Sequence, residues 1–225
     1  MIIDGPYIDD DELYNMYPQH RKWFNKLYLS EQMGYKCAPA GIAPDEDGTY
    51  VVRPIMNLAG MGIGATVKEI KAGDVTQVPA GYFWCEYFDG THYSCTYKWE
   101  YDRDSINGEW KTPWKGAACW EGINMPINLS KFVEWKRSTY IPKVPDILVC
   151  LRDVKVINVE FIDDKPIEVH LRDSPNPNYD HLIPVWASDL GVKKEHMELH
   201  GYEFIEAYSN ANGQLEDPRI GFLVK

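Results

Sequence analysis

VINVEFIDDKPIEVHLR, residues Val156 to Arg172, reads as two strands joined by a tight turn. Val156 to Ile162 and Ile167 to Arg172 are rich in β-branched residues, and Asp163, Asp164, Lys165 and Pro166 supply the break. Side chains alternate between the faces of a strand. Glu168, His170 and Arg172 therefore share one face, with Ile167, Val169 and Leu171 on the other. In the first strand Asn158 and Glu160 face away from Ile157, Val159 and Phe161. A three-residue loop at Asp163 to Lys165 sets Glu160 across from Glu168 and Asn158 across from His170. Two facing carboxylates repel unless a positive charge sits between them. A divalent metal on oxygen ligands relieves that repulsion, and a solvated polar face is the plainer reading.

The surrounding chain bounds the possibilities. Its 225 residues suffice for one large domain or two small ones, and 44% hydrophobic with 25% charged residues indicates an ordinary globular core. The 8 Trp and 15 Tyr suit either a core or a ligand cleft. A formal net charge of −11 argues against general binding to a nucleic-acid backbone, which needs clustered Lys and Arg. No 18-residue apolar run indicates a membrane span, and the acidic N-terminus lacks the features of a signal peptide. A cytoplasmic protein is expected. Cys37, Cys85, Cys95, Cys119 and Cys150 contain no Cys-x-x-Cys, so free thiols are expected, with Cys85 and Cys95 able to face each other across a hairpin.

In order along the chain, residues 11 to 34 read as a helix that Pro18 interrupts and Gly34 stops. A strand from Tyr50 to Ile55 carries Arg53-Pro54 and runs into Asn57-Leu58-Ala59-Gly60-Met61-Gly62-Ile63-Gly64-Ala65. Alternating glycines let backbone amides approach a phosphate, or simply make a turn. Val67 to Lys71 returns as a strand. Tyr82 to Phe88 and His92 to Tyr97 read as strands around Asp89-Gly90. Asn107-Gly108 marks a hairpin turn, and Lys111 and Lys115 are either solvated or in reach of an anionic substrate. Asn128 reads as the cap of a helix from Leu129 to about Arg137. His196 and His200 read as a surface pair, and Tyr202 to Tyr208 and Ile220 to Val224 as closing strands.

Three of these stretches, in this order, resemble the ATP-grasp family. The hairpin resembles its metal-binding end, where an acidic residue is followed by Glu-x-Asn-x-Arg. Here these are Glu160, Glu168, His170 and Arg172, with His170 in place of Asn. Nitrogen suits Mn²⁺ better than Mg²⁺, and His170 either meets the metal or turns to a phosphate. Arg53-Pro54 and the glycine loop are similar to a Lys-Pro strand feeding a phosphate lid, with Arg53 for Lys. Glu86, Tyr87, Phe88 and Gly90 resemble the adenine-binding hinge, and His92 stands where a ribose-binding Glu is usual.

The resemblance covers about residues 50 to 175 and implies an α+β fold of two lobes built on mostly antiparallel sheets, with nucleotide in the cleft between them. The implied organisation is an N-terminal helical segment and loop over 1–49 and an ATP-grasp-like domain over 50–225. The lid lobe takes 50–88, and the metal-binding lobe with a C-terminal extension takes 89–225. The implied activity is an ATP-dependent ligase that activates a carboxylate as an acyl-phosphate for attack by an amine or similar nucleophile, with ATP and a small carboxylate or peptide-like acceptor as partners. The alternative is a nucleotide-binding interaction protein without turnover. The implied nucleotide contacts are Arg53, Asn57, Gly60, Met61, Gly62, Gly64, Glu86, Tyr87, Phe88 and His92. Arg53 and Arg172 would be catalytic, and Glu160, Glu168 and His170 would hold Mg²⁺ or Mn²⁺.

Overall fold

The computed structural model describes residues 9–59, 61–100, 114–125, 128–189, 200–207 and 216–225. The strands sort into two antiparallel sheets. The smaller contains β1 (Cys37–Pro39), β2 (Gly48–Pro54), β3 (Thr66–Ile70) and β4 (Tyr82–Glu86), in the order β1-β4-β2-β3. The larger is formed by β5 (His92–Trp99), β6 (Trp114–Met125), β7 (Asn128–Arg137), β8 (Val156–Ile162), β9 (Lys165–His170), β10 (His181–Trp186), β11 (Glu203–Glu206) and β12 (Arg219–Val224). Its order is β11-β12-β10-β7-β6-β5-β8-β9. Two lobes of antiparallel sheet with few helices make the α+β class expected from the sequence.

Alternation explains the core. In β8, Ile157, Val159 and Phe161 are fully buried and meet Val169 and Leu171, with Trp23 and Leu29 from the N-terminal segment in the same cluster. Burying each such side chain contributes about 1.5–3 kcal/mol. The small sheet has its own cluster around Tyr50, Val52, Ile70 and Trp84.

The register of β8 against β9 sets Glu160 opposite Glu168 and Asn158 opposite His170, as the alternation predicts. The route differs. Ile162 pairs with Lys165 and Phe161 with Pro166, so Ile167 is an extra residue, a β-bulge. The bulge turns Ile167 to line the cleft instead of joining Val169 in the core.

Other expectations need correction. Residues 11 to 34 form three short pieces: α1 (Asp10–Met16), a 3₁₀ segment (Pro18–Phe24) and α2 (Lys26–Gln32). Pro18 has no N–H to continue α1, and Asn25 restarts the helix by accepting a hydrogen bond from Tyr28 N on Oδ1. The segment from Leu129 to Arg137 is strand β7, not a helix capped by Asn128. Its apolar residues suggest helical spacing because Phe132 and Trp135 stack on each other, with ring centroids 4.1 Å apart. Irregular pairing between β6 and β7 permits that contact between residues of opposite parity. β4 and β5 lie in different sheets, so residues 87–91 link the lobes and do not turn a hairpin. Cys85 consequently faces Cys37, while Cys95 and Cys119 are joined as a disulfide across β5 and β6. The expectation of five free thiols holds only for Cys37, Cys85 and Cys150. The closing strands are β11 and β12. The Asn107-Gly108 turn, Lys111, His196 and Tyr208 lie outside the described residues.

Candidate active site

The two sheets enclose a cleft of about 450 Å³. β2 and β4 supply one wall, with Arg53 and Glu86 among its polar residues, and β5, β6, β8 and β9 supply the other, with His92, Asn124, Glu160 and Glu168. Met61, Gly62 and Ile63 of the glycine loop roof it, and Tyr87 and Phe88 of the inter-lobe link close one end.

The loop is built to lie where it does. Met61, Gly62 and Gly64 take φ values of +54°, +60° and +77°, in the left-handed region that favours glycine. A side chain at Gly62 would sit 3.0 Å from Leu129 O of β7, so the loop crosses the cleft and rests on the opposite lobe. A side chain at Gly64 would meet the Tyr82 hydroxyl at 2.8 Å. Asn57 also lines the cleft and turns back to accept from Ala59 N on Oδ1. Gly64 is not part of the lining, and Gly60 lies outside the described residues.

Arg53 is buried against the Phe83 ring, with its guanidinium carbon 5.2 Å from the centroid. Its Nε has no hydrogen-bond partner, and neither has Asn124 Oδ1. Buried polar atoms are normally satisfied. Unsatisfied donors and acceptors in a cleft wall fit a polar ligand. At the link, Glu86 N donates to Lys36 O, Tyr87 N donates to Thr49 O, and Glu86 Oε1 accepts from Lys36 N. Phe88 stacks edge-on against Tyr35 and lies under Lys165 Nζ. Gly90 must lack a side chain, because a Cβ there would stand 2.3 Å from Asp163 Oδ2.

At the other end, Glu160, Glu168 and His170 bring ligand atoms within 4.8 Å of one another. His170 Nδ1 lies 2.7 Å from Asp10 Oδ2, while its Nε2 faces Glu168 Oε1 at 3.6 Å and Glu160 Oε1 at 3.9 Å. A carboxylate behind the ring orients the other nitrogen toward the cluster, an arrangement usual behind metal-binding histidines. Burial alone would favour the neutral ring, but Asp10 and Glu168 outweigh it and raise the His170 pKa in the absence of a metal. Burial also opposes ionisation of Glu160. The imidazoles of His92 and His170 and the Lys26 ammonium prevail and hold that carboxyl below its usual range. His92 Nε2 is 3.3 Å from Glu160 Oε2, near enough for charge attraction but out of line for a hydrogen bond.

Arg172 does not reach the cleft wall. Its Nε and Nη2 each donate to Asp10 at 2.9 Å, and its Nη1 donates to Asp173 O. The expectation that Arg172 neutralises a phosphoryl group gives way to a role in holding Asp10, and through it His170. Sequence reasoning passed over two charged residues here. Asp10 stands in a run of acids that reads as a helix N-terminus. Lys26 lies in the N-terminal segment yet lines the cleft, buried, with its ammonium paired to Glu168 Oε1. The only local hint was Asn25, a residue type that starts helices and here points α2 at the site.

No protein-family model matches the sequence, and no curated protein does. Solved structures do match. The N5-carboxyaminoimidazole synthetase from Staphylococcus aureus, complexed with ADP, aligns over 92% of this chain and 68% of that one, with a TM-score of 0.56 and 12% identity. An N5-carboxyaminoimidazole ribonucleotide synthetase, also with ADP, aligns over 95% and 72%, with a TM-score of 0.55 and 11% identity. The carboxyaminoimidazole ribonucleotide synthase from Aspergillus clavatus, complexed with ATP, aligns over 90% and 68%, with a TM-score of 0.53 and 11% identity. At such identities the likeness is one of fold, and the fold is ATP-grasp.

Proposed function

We propose that this ATP-grasp chain is an ATP-dependent ligase that activates a carboxylate. The observation that carries the reading is the cleft itself. One wall offers an unsatisfied buried arginine beneath a glycine loop, and the other offers a three-residue metal-type cluster. The structures it resembles hold ADP or ATP, which supports nucleotide as the ligand of this cleft. The adenine would lie toward Tyr87 and Phe88, and the phosphates toward Arg53 and the loop amides. Glu160, Glu168 and His170 fit a divalent ion such as Mg²⁺ or Mn²⁺, which when bound would neutralise phosphate charge. Arg53 supplies a fixed positive charge where the transferred phosphoryl group becomes more negative. A substrate carboxylate oxygen attacks the γ-phosphorus, and ADP leaves. An amine then attacks the acyl carbon of the acyl-phosphate, and inorganic phosphate leaves. The acceptor is a small amine or a peptide-like molecule.

The test is ADP release with a panel of carboxylates and amines, alongside calorimetry with ATP and Mg²⁺. Arg53→Met is expected to lose ADP release and weaken ATP binding. Turnover unchanged in that variant would refute the assignment. The engagement of Arg172 by Asp10 favours a second reading, a nucleotide-binding protein without turnover. ATP binding with no ADP release under any acceptor pair selects it, and no ATP binding eliminates both.

A further inference from the structure

The mechanism above leaves Lys26 without a task. A buried lysine needs a reason, because desolvating an ammonium is costly unless it is paired. Lys26 is 5% exposed and sits in the wall of the cleft, its ammonium on Glu168. Its placement is fixed from several directions. Its backbone N donates to Ile55 O at 2.9 Å, tying it to the chain just after Arg53-Pro54. Its carbonyl accepts from Ser30 Oγ, and Asn25 beside it both bridges to Met56 and caps α2. The fold thus delivers one positive charge, on a short tether, to a carboxylate of the metal-type cluster.

The charges at that cluster decide what this does. Glu160, Glu168 and Asp10 contribute three negative charges, with Arg172 on Asp10 and the His170 ring between Asp10 and the two glutamates. A pair of carboxylates facing a nucleotide polyphosphate can hold two divalent ions, one on each side of the transferred group. Here one of the two positions beside Glu168 is taken by an ammonium. The ammonium sits on Oε1, the same Glu168 oxygen that faces His170 Nε2 at 3.6 Å, so Glu160, His170 Nε2 and the other Glu168 oxygen are left for a single ion.

We propose that Lys26 is a tethered cation standing in for one of two divalent ions, so that the cluster takes a single ion when nucleotide is bound. The proposal rests on the nucleotide reading of the cleft given above. It makes Lys26 a positioning residue as well. By holding Glu168 Oε1, it fixes that carboxylate beside His170 and opposite Glu160.

The experiment counts ions. The full chain is saturated with a β,γ-imido analogue of ATP, whose occupancy calorimetry measures separately. It is then titrated with Mn²⁺, and free ion is followed by its electron paramagnetic resonance signal. Wild type is expected to bind one Mn²⁺ per chain–nucleotide complex. Lys26→Met should bind two, and Lys26→Arg, which keeps the charge, should bind one. Without nucleotide, Lys26→Met should bind its first Mn²⁺ at least about tenfold more tightly than wild type, since a nearby positive charge is gone. Two ions in wild type overturn the proposal, because the ammonium would then have swung from Glu168 to the nucleotide. One ion in both wild type and Lys26→Met overturns it too. If Lys26→Met does not fold, the wild-type count decides, with one supporting and two overturning. Absence of nucleotide binding by calorimetry removes the parent reading, an outcome distinct from any ion count.

Discussion

At the scale of single residues, the obvious test substitution at the cluster is a poor one. Changing Glu168 to Gln removes a charge from the proposed metal cluster, but it also strands Lys26, since both side chains of the pair are largely buried, at 6% and 12% exposure. Breaking one half of a buried pair costs about 3–5 kcal/mol. Glu168→Gln is therefore expected to lose stability of that order in urea unfolding, and Lys26→Met combined with Glu168→Gln should recover most of it. A double variant no more stable than the single would mean that the pair is not coupled. Asp10 permits a pH test. Burial works against its ionisation, but the charges and hydrogen bonds of His170 and Arg172 hold its carboxyl well below the usual carboxylate range. A depressed folded pKa adds stability above the unfolded pKa, and that stability is lost as pH falls through the folded value. Asp10→Asn should thus be markedly less stable than wild type at pH 7. The gap should narrow as pH drops below about 4. A gap independent of pH would show that the loss is one of packing and not of charge.

At the scale of elements, the glycine loop is the sharpest case. A non-glycine residue in left-handed backbone costs about 1–2 kcal/mol, and at Gly62 the new Cβ would also press on Leu129 O. Gly62→Val is expected to lower the melting temperature and ATP affinity together, because the same contact that seats the loop on β7 roofs the cleft. A lower melting temperature with unchanged affinity would make the loop purely architectural. What could be read from sequence followed from local rules. Alternation and a Pro-bounded turn reveal the pairing of Glu160 with Glu168 even though a bulge at Ile167, invisible beforehand, completes it. β7 was hidden because Phe132 and Trp135 suggest a helical face while they stack across an irregular strand. Lys26 and Asp10 could not be read at all. Their partners lie far along the chain, 162 residues for Asp10 and Arg172, and such a pairing leaves no periodic trace.

At the scale of the whole molecule, the large sheet depends on its C-terminal strands. β12 pairs with both β10 and β11, and Phe222, Leu223 and Val224 are at most 2% exposed. Each is worth about 1.5–3 kcal/mol by burial, so together they are comparable with the roughly 5–15 kcal/mol by which proteins are stable. Ending the chain before β11 should give insoluble protein or one without a cooperative melt by circular dichroism. A soluble truncation with a cooperative melt would show that β5 to β10 fold without this edge.

The anchoring of the N-terminal segment to the hairpin also has a consequence in time. Asp10 and Lys26 are made before the hairpin, which at about 5–20 residues per second emerges roughly seven to thirty seconds later. Throughout that interval a lysine and an aspartate destined for burial are hydrated and without their partners. The N-terminal helices can form early but can dock only after β8 and β9 have joined the growing sheet. The cleft is thus completed by the N-terminal segment returning to a hairpin up to 162 residues away, a long-range closure of the kind that slows folding.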